Sequence, residues 1–469
     1  MKEIIDHKIF KVIAEAADDL QMDTYVVGGY VRDKILGRKN SKDIDFVSVG
    51  SGISLAKLVA KKLGRSKIAV FKNFGTAQVK YKDLELEFVG ARKESYNRDS
   101  RKPIVEDGTL DDDQKRRDFT VNAMAVSLNA KNYGELLDPF GGVSDLENKI
   151  IRTPLDPHIT YSDDPLRMMR AIRFASQLNF KIEEKSFQAI LETKERIDII
   201  SKERVSDELN KIMLSPKPSV GLRLFYESGL MAYFLPEIIA LKGVEEVDGQ
   251  LHKDNFYHTL QVVDNISETT DNLWLRYAAL FHDIGKPVTK KFIKGTGWTF
   301  HNHEFVGSKM VFKIFKRLKL PLSDKLKYVQ KIVRMSSRPI AVTDDQATDS
   351  AARRLLFDAG DDVNDLMLLC EADITTQNKK KKAGFLENFK TVRARLKEVE
   401  ESDQIRNFQP PVDGAEIMEI FNIPPGREIG IIKEFIKEAI LEGSIKNNHE
   451  EALALAVEKG KELGLTAKQ

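Results

Sequence analysis

Tyr25–Val49, YVVGGYVRDKILGRKNSKDIDFVSV, reads as a strand, a glycine turn, the basic start of a helix, and a second strand carrying two aspartates. Tyr25, Val26 and Val27 are β-formers, and Gly28-Gly29 turns the chain where a Cβ would obstruct it. Arg32, Lys34 and Arg38 follow on a short helix. In Asp43-Ile44-Asp45-Phe46-Val47 the period is two, so Asp43 and Asp45 share one strand face while Ile44 and Phe46 take the other. Two carboxylates on one face, beside a glycine turn and an arginine, suit a divalent metal carrying a polyphosphate. Mg²⁺ is commonly held by one or two carboxylates plus substrate phosphates, and backbone N–H groups at a glycine turn cradle the anion. Either feature alone is a turn or a solvated strand; the combination is far more specific.

The length of 469 residues predicts about three or four domains. Hydrophobic residues at 42% and charged residues at 31% supply ordinary globular cores. The single cysteine, Cys370, excludes internal disulfides and fits a reducing, cytoplasmic setting. The first twenty residues form an amphipathic helix pattern with no apolar signal core, and no apolar run approaches the ~20 residues that span a membrane. A net charge of +2 leaves any nucleic-acid affinity to local basic patches.

Along the chain, Ile5, Ile9, Val12, Ile13, Ala16 and Leu20 make a helical stripe that packs on the first sheet. Ser54–Leu63 reads as a helix; Lys67–Phe71, Thr76–Tyr81 and Leu84–Val89 read as strands. In the last, Leu84, Leu86 and Phe88 face one way and Glu85 and Glu87 the other. Residues 93–115 are polar and poorly patterned, and read as a mobile connection longer than usual loops. That connection ends at Arg116-Arg117-Asp118-Phe119-Thr120-Val121-Asn122-Ala123-Met124-Ala125. Two adjacent guanidiniums can clamp phosphate oxygens bidentately. Asp118 can accept from a ribose hydroxyl or cap a short helix, and Asn122 can bond sugar or phosphate. Further on, Ser162-Asp163-Asp164-Pro165-Leu166-Arg167 opens a helix, with Ser162 or Asp163 as cap and Pro165 in the first turn. Met168, Ile172 and Ala175 form its buried stripe, and Asp164 and Arg167 fall three apart as neighbours.

These motifs resemble the nucleotidyltransferase superfamily of DNA polymerase β, and more narrowly the bacterial-type (class II) tRNA nucleotidyltransferases, or CCA-adding enzymes, and bacterial poly(A) polymerases. The resemblance implies an α+β fold: a small polymerase-β-like nucleotidyltransferase sheet with helices in residues 1–147, then an all-α neck and body (148–247). It also implies that Asp43 and Asp45 hold Mg²⁺ with Glu87 as a third carboxylate, a solvated strand glutamate being the alternative for Glu87. Gly28, Gly29, Arg32, Arg116, Arg117, Asp118 and Asn122 would bind the nucleotide, joined by Arg170 and Arg173 on the later helix. Asp164 and Arg167 correspond to the family's base-reading pair, since a carboxylate accepts and an arginine donates to the mixed edges of cytosine and adenine. Asp163 stands where relatives commonly have Glu. In the neck, Arg204 is a candidate RNA contact or a structural salt bridge.

Six of the eight histidines lie between His158 and His303. His258 sits on an apolar stripe with Val262 and Ile266, Asp373 on another with Leu366 and Cys370, and His282-Asp283 ends an apolar helix. Burying ionisable groups there is costly unless they are paired or ligate a metal. The set His258, His282, Asp283 and Asp373 resembles the HD superfamily of metal-dependent phosphohydrolases, implying an α-helical HD domain over 248–376 with a second divalent metal. Serines at 336 and 337 replace a histidine common in fuller ligand sets, and His303 is a further candidate. Residues 377–397 hold eight Lys or Arg and one acid, Glu387. Lys379, Lys380, Lys381 and Lys382 there are candidate RNA-phosphate contacts, a solvated linker being the alternative. The helical tail, 377–469, would grip tRNA. The function these features imply is template-independent addition of CMP and AMP, from CTP and ATP, to tRNA 3′ ends. The alternatives are a CC- or A-only enzyme, a poly(A) polymerase, or an HD phosphohydrolase with a vestigial head.

Overall fold

Period-two alternation governs the N-terminal strands, and the sheet they build fixes which side chains meet. In the computed structural model all residues are described except 1, 39–41, 65–66, 73–74, 98–99, 248–249, 252–253, 344–347, 407 and 469. The chain folds as two units, Met1–Phe234 and Leu235–Gln469. The expected domain boundary at residue 248 lies outside the described residues.

The first unit contains strands β1 (Thr24–Val27), β2 (Asp43–Ser48), β3 (Ala69–Phe71), β4 (Thr76–Tyr81), β5 (Leu84–Gly90), β6 (Arg92–Asn97), β7 (Ser100–Asp107), β8 (Ala125–Ser127) and β9 (Leu136–Leu137). Seven of them form one mixed sheet in the order β3-β4-β5-β2-β1-β8-β9, in which β2 and β5 are parallel. One sheet face is mainly apolar, with Thr24 and Ser48 buried as a polar pair at one end. Phe46 stacks on Phe88 with centroids 5.0 Å apart, and Phe10 of the helix Lys8–Asp19 meets Phe46 at 6.0 Å. All three rings are fully buried, each contributing about 1.5–3 kcal/mol relative to exposure. The opposite face is divided. Tyr25, Val27, Val47, Ala91 and Ala125 form a small core capped by Leu110, while Asp43 and Asp45 stand at its open end.

Residues 93–115 differ from the expected loop. Strands β6 and β7 pair as an antiparallel hairpin, and Leu110–Lys115 is a helix with a Thr109/Asp112 capping box. Their charge-rich sequence lacks apolar alternation because this hairpin pairs only with itself and lies apart from the seven-stranded sheet. Apart from a short parallel pair, Ile150–Ile151 with Lys181–Ile182, the rest of the unit is mainly helical, with Pro157–Asp163, Leu166–Leu178, Glu184–Thr193, Lys202–Met213 and Pro218–Glu227 as its main segments. Met168, Ile172 and Ala175 are fully buried, as their spacing predicts.

The second unit is helical apart from two short strand pairs. Helices Asn255–Ser267, Leu273–Phe281, His303–Leu318, Asp324–Met335, Asp349–Ala359 and Val363–Ala372 precede a 25-residue helix, Lys379–Asp403. The basic run is therefore the first turn of a helix and not a linker. Arg353 meets Asp403 at 2.6 Å and Arg354 meets Glu438 at 2.7 Å, tying the tail helices to Asp349–Ala359. Among the described residues no helix is long and apolar enough to cross a membrane.

Candidate active sites

Strand register decides the first site. Asp43 pairs with Glu85 and Asp45 with Glu87 across the parallel β2–β5 ladder, so Asp43, Asp45 and Glu87 share the open face. Gln78 of β4 donates to Glu87 Oε2 at 3.3 Å. Protein atoms crowd Asp45 even though its edge meets solvent. Desolvation raises its pKa to about 6; Arg117 opposes the rise, and the charges of Glu87 and Asp43 add to it. A face that gathers carboxylates and partly desolvates one of them fits a hard divalent cation with oxygen ligands.

Gly28 closes this face from β1. Its φ of 76° belongs to the region that glycine favours, and a Cβ there would lie 3.4 Å from both Arg117 Nη1 and Asp45 Oδ2. Gly29 begins the helix Gly29–Ile35, which carries Arg32. Arg32 is buried; Nε and Nη2 donate to Asp33, and Nη1 donates to Asn122 Oδ1 at 2.8 Å. Asn122 Nδ2 donates to Asp118 Oδ1 at 3.1 Å, and Arg170 Nε donates to Asp118 Oδ2 at 2.7 Å. Burial works to raise the Asp118 pKa, yet Arg170 and Asn122 hold it down at about 2. Arg32, Asn122, Asp118 and Arg170 thus form one continuous network. The guanidiniums of Arg32, Arg170 and Arg173 also surround the Phe174 ring at 5.1, 5.4 and 4.0 Å from its centroid.

Arg116 and Arg117 are anchored by a residue that sequence reasoning passed over. Asp113 is wholly buried; Arg116 Nη2 bonds its Oδ1, and Arg117 Nε donates to Oδ2 at 3.0 Å. Burial opposes ionisation of Asp113, but the two arginines prevail and lower its pKa. The spacing i, i+3, i+4 is the available signal, hidden because the stretch read as a loop.

The segment around Asp164 and Arg167 also departs from expectation. Asp163 ends the helix Pro157–Asp163, and Asp164 lies outside any helix at φ −135° and ψ 98°. Pro165, and not Ser162 or Asp163, takes the cap position of Leu166–Leu178, and Asp164 Oδ1 just before it accepts from Leu166 N at 3.2 Å. Pro165 separates the two helices, so Asp164 lies outside the helix that carries Arg167, although Arg167 N still donates to the Asp164 carbonyl at 2.9 Å. Asp164 Oδ2 instead accepts from Arg204 Nη2 at 3.3 Å, and Arg167 Nη2 donates to the Arg116 carbonyl at 2.7 Å. A cleft of about 180 Å³ lined by Arg116, Thr160, Asp163 and Arg167 opens beside them. Arg173 lies 2.6 Å from the buried Glu208 of Lys202–Met213.

In the second unit, His258 Nε2 lies 2.8 Å from Asp373 Oδ1, and His282 Nε2 lies 3.4 Å from both Asp373 Oδ1 and Asp283 Oδ2. His303 Nε2 is 3.6 Å from Asp283 Oδ1. The other ring nitrogens are taken: His258 Nδ1 meets Thr375 Oγ1, His282 Nδ1 the Ala279 carbonyl, and His303 Nδ1 the Phe300 carbonyl. That arrangement aims each Nε2 inward, as in metal-bound histidines whose second nitrogen is fixed. Ligand atoms of His258, His282 and Asp283 all lie within 4.8 Å of one another, and the Asp373 carboxylate lies against both histidines. Two imidazole nitrogens and two carboxylates converging at one place are a donor set that fits a divalent metal ion. Burial opposes protonation of His282, but Asp283 and Asp373 outweigh it and raise its pKa to about 9. Lys286 Nζ sits 2.6 Å from Asp283 Oδ2 as a competing cation. Gly285 is required, because a Cβ would lie 2.0 Å from the His303 carbonyl oxygen. Ser336 and Ser337 point elsewhere, Ser336 to the Val333 carbonyl and Ser337 to Glu304.

Lys379–Lys382 are exposed on the first turn of their helix, a short way along the chain from Asp373.

Residues 24–152 match the Poly A polymerase head domain, 179–241 the probable RNA and SrmB-binding site of polymerase A, and 255–377 the HD domain. A multifunctional CCA protein of Vibrio parahaemolyticus is 33% identical over 310 residues, covering 64% of this chain and 72% of that protein. The chain belongs to the tRNA nucleotidyltransferase and poly(A) polymerase family. Within this family, an A-adding tRNA nucleotidyltransferase of Deinococcus radiodurans is 29% identical over 90% of this chain and 92% of its own length. The match spans only 34% of the Aquifex aeolicus A-adding tRNA nucleotidyltransferase, at 36% identity over 61% of this chain, and 58% of the Lactobacillus helveticus CCA-adding enzyme. A solved CCA-adding enzyme with ATP shares the nucleotidyltransferase fold at a TM-score of 0.63 and 22% identity, covering 98% of this chain and 96% of that one. The Thermotoga maritima CCA-adding enzyme complexed with tRNA does so at 0.60 and 22% identity, covering 96% and 94%. Transferase heads and HD domains of these families generally depend on divalent metals.

Proposed function

We propose that this chain adds CMP and AMP, from CTP and ATP, to the 3′ end of tRNA without a nucleic-acid template. The observation that carries the reading is the shared open face of Asp43, Asp45 and Glu87, closed on one side by Gly28 and Arg117. Asp43 and Asp45 would hold Mg²⁺, with Glu87 as third carboxylate; bound there, Mg²⁺ lowers the pKa of an attacking 3′-hydroxyl and neutralises triphosphate charge. Backbone N–H groups at Gly28 and Gly29 receive phosphate oxygens, and Arg32 adds positive charge from its seat between Asp33 and Asn122. Arg117 and Arg116 grip the triphosphate, and Asp113 fixes their direction. Asp118 and Asn122 hold Arg170 and Arg32 in place near the sugar, and Arg173 supports that helix through Glu208.

Asp164 and Arg167 read the base edge as acceptor and donor. Arg204 steadies Asp164 through their ion pair. His258, His282, Asp283 and Asp373 hold a second divalent metal, with His303 close by. Lys379, Lys380, Lys381 and Lys382 contact RNA phosphates. The work divides over residues 1–147 for transfer, 148–247 for base reading and RNA, 248–376 for the HD domain and 377–469 for the tail. We place the reaction in the cytoplasm, where the buried thiol Cys370 stays reduced. A second reading, addition of the terminal A alone, is favoured by the name of the Deinococcus relative that aligns over 90% of this chain. In D43A/D45A, nucleotide incorporation into tRNA is lost while tRNA still binds; turnover near wild type would overturn the assignment.

A further inference from the structure

The helix His303–Leu318 already buries an apolar stripe of its own, with Val311, Ile314, Phe315 and Leu318 all fully buried. Two more phenylalanines stand on the outside, Phe305 at 43% exposure and Phe312 at 45%. A surface helix ordinarily keeps its outer face polar, so packing does not account for these rings. Phe305, Lys309, Phe312 and Lys316 follow at i, i+4, i+7 and i+11, one line of alternating aromatic and cationic groups. Cations lie over the first ring, with Lys309 Nζ 4.1 Å and Arg334 Cζ 5.5 Å from the Phe305 centroid, on long side chains that an arriving base and its phosphate would draw aside. Residues 305–319 contain five Lys or Arg and no acid. Of these, Arg317 is engaged by Glu237 at 2.5 Å, while Lys309, Lys313 and Lys316 are exposed.

We propose that this face binds an unpaired stretch of RNA, with bases stacked on Phe305 and Phe312 and phosphates against Lys309, Lys316 and Arg334. Charge complementarity calls for a polyanion, and exposed rings between cations add what a phosphate backbone alone does not use: a stacking platform for bases. The two rings are about 10 Å apart along the helix axis at 1.5 Å per residue, room for one further nucleotide between two stacked bases of an extended strand. A duplex keeps its base faces stacked inside and offers phosphates, 2′-hydroxyls and base edges, but no free face to stack on a ring. The inference does not rest on the transferase assignment, since it concerns a different unit and a different surface.

The test uses the full-length chain and a labelled single-stranded 12-nucleotide RNA, read by fluorescence anisotropy. Ultraviolet cross-linking with peptide mass spectrometry maps the contact. Cross-links fall on residues 303–319; F305A/F312A weakens single-strand binding at least tenfold and leaves a duplex of equal length within twofold, and F305Y/F312Y restores binding. K309E/K316E flattens the salt dependence by about 0.7 per lysine in log–log slope. The exposed positions make loss of folding improbable as a cause, and thermal melts of each variant verify it. Cross-links confined to other segments, an unchanged affinity in F305A/F312A, equal loss for single strand and duplex, or equally tight binding of a polyglutamate peptide would overturn the proposal; the last would mark an acidic protein surface as the partner.

Discussion

Asp118 provides a quantitative test of the network beneath the transferase face. Its carboxylate accepts from Phe119 N, Asn122 Nδ2 and Arg170, and its pKa falls from 3.8 to about 2. A group held down on folding stabilises the protein above its unfolded pKa, and that stabilisation is lost as pH falls through the folded value. At 1.36 kcal/mol per pH unit the depression is worth about 2.5 kcal/mol at pH 7, present above roughly pH 4 and gone near pH 2. The perturbation is D118N. Tryptophan fluorescence would report the other unit, because both tryptophans, Trp274 and Trp298, lie there. Hydrogen exchange of the segment Thr120–Ala123, read by mass spectrometry from pH 2.5 to 7, reports the correct place. The opening free energy of wild type minus that of D118N grows by about 2 kcal/mol between the two ends of this range. A constant difference across the range would refute the reasoning, since Asp118 would then carry no ionic stabilisation.

Three further outcomes follow from the geometry. D113A frees Arg116 and Arg117 and leaves two guanidiniums without their buried counter-ion, costing about 3 kcal/mol of stability; steady-state kinetics show nucleotide KM rising while tRNA affinity holds. D164A and R204A both relax the choice between CTP and ATP, because Arg204 holds the Asp164 carboxylate; misincorporation assays with unchanged selectivity in both would contradict this. H282A loses the divalent ion of the second unit, read by equilibrium dialysis with Mn²⁺, and leaves nucleotide incorporation intact.

The features legible in the sequence were local ones. Alternation put Asp43 and Asp45 on one face and Phe46 in the core, and i, i+4 spacing found the buried stripe at Met168 and Ile172. The His258, His282, Asp283 and Asp373 set was visible because ionisable side chains interrupt apolar stripes. Pairings set by tertiary structure were not legible. Glu87 could be placed beside Asp45 only once the parallel register of β2 and β5 was known. Asp164 meets Arg204, forty positions away, and Pro165 sets it outside the helix Leu166–Leu178 that carries Arg167. Asp113 was hidden in a polar stretch that reads as a loop. It is wholly buried under two arginines, and its spacing to Arg116 and Arg117 carries meaning only once the stretch is known to be a helix.

The most direct measurement gives purified protein three tRNA substrates, lacking the last three, two or one nucleotides, with CTP and ATP separately and together, and sequences the product ends. The account predicts that all three are completed to CCA when both nucleotides are present, that CTP alone extends the shortest substrate by two C residues, and that ATP alone completes only the longest. Extension of the longest substrate only would establish an A-adding enzyme, long runs of A would establish a poly(A) polymerase, and no extension of any substrate would contradict the transferase account itself.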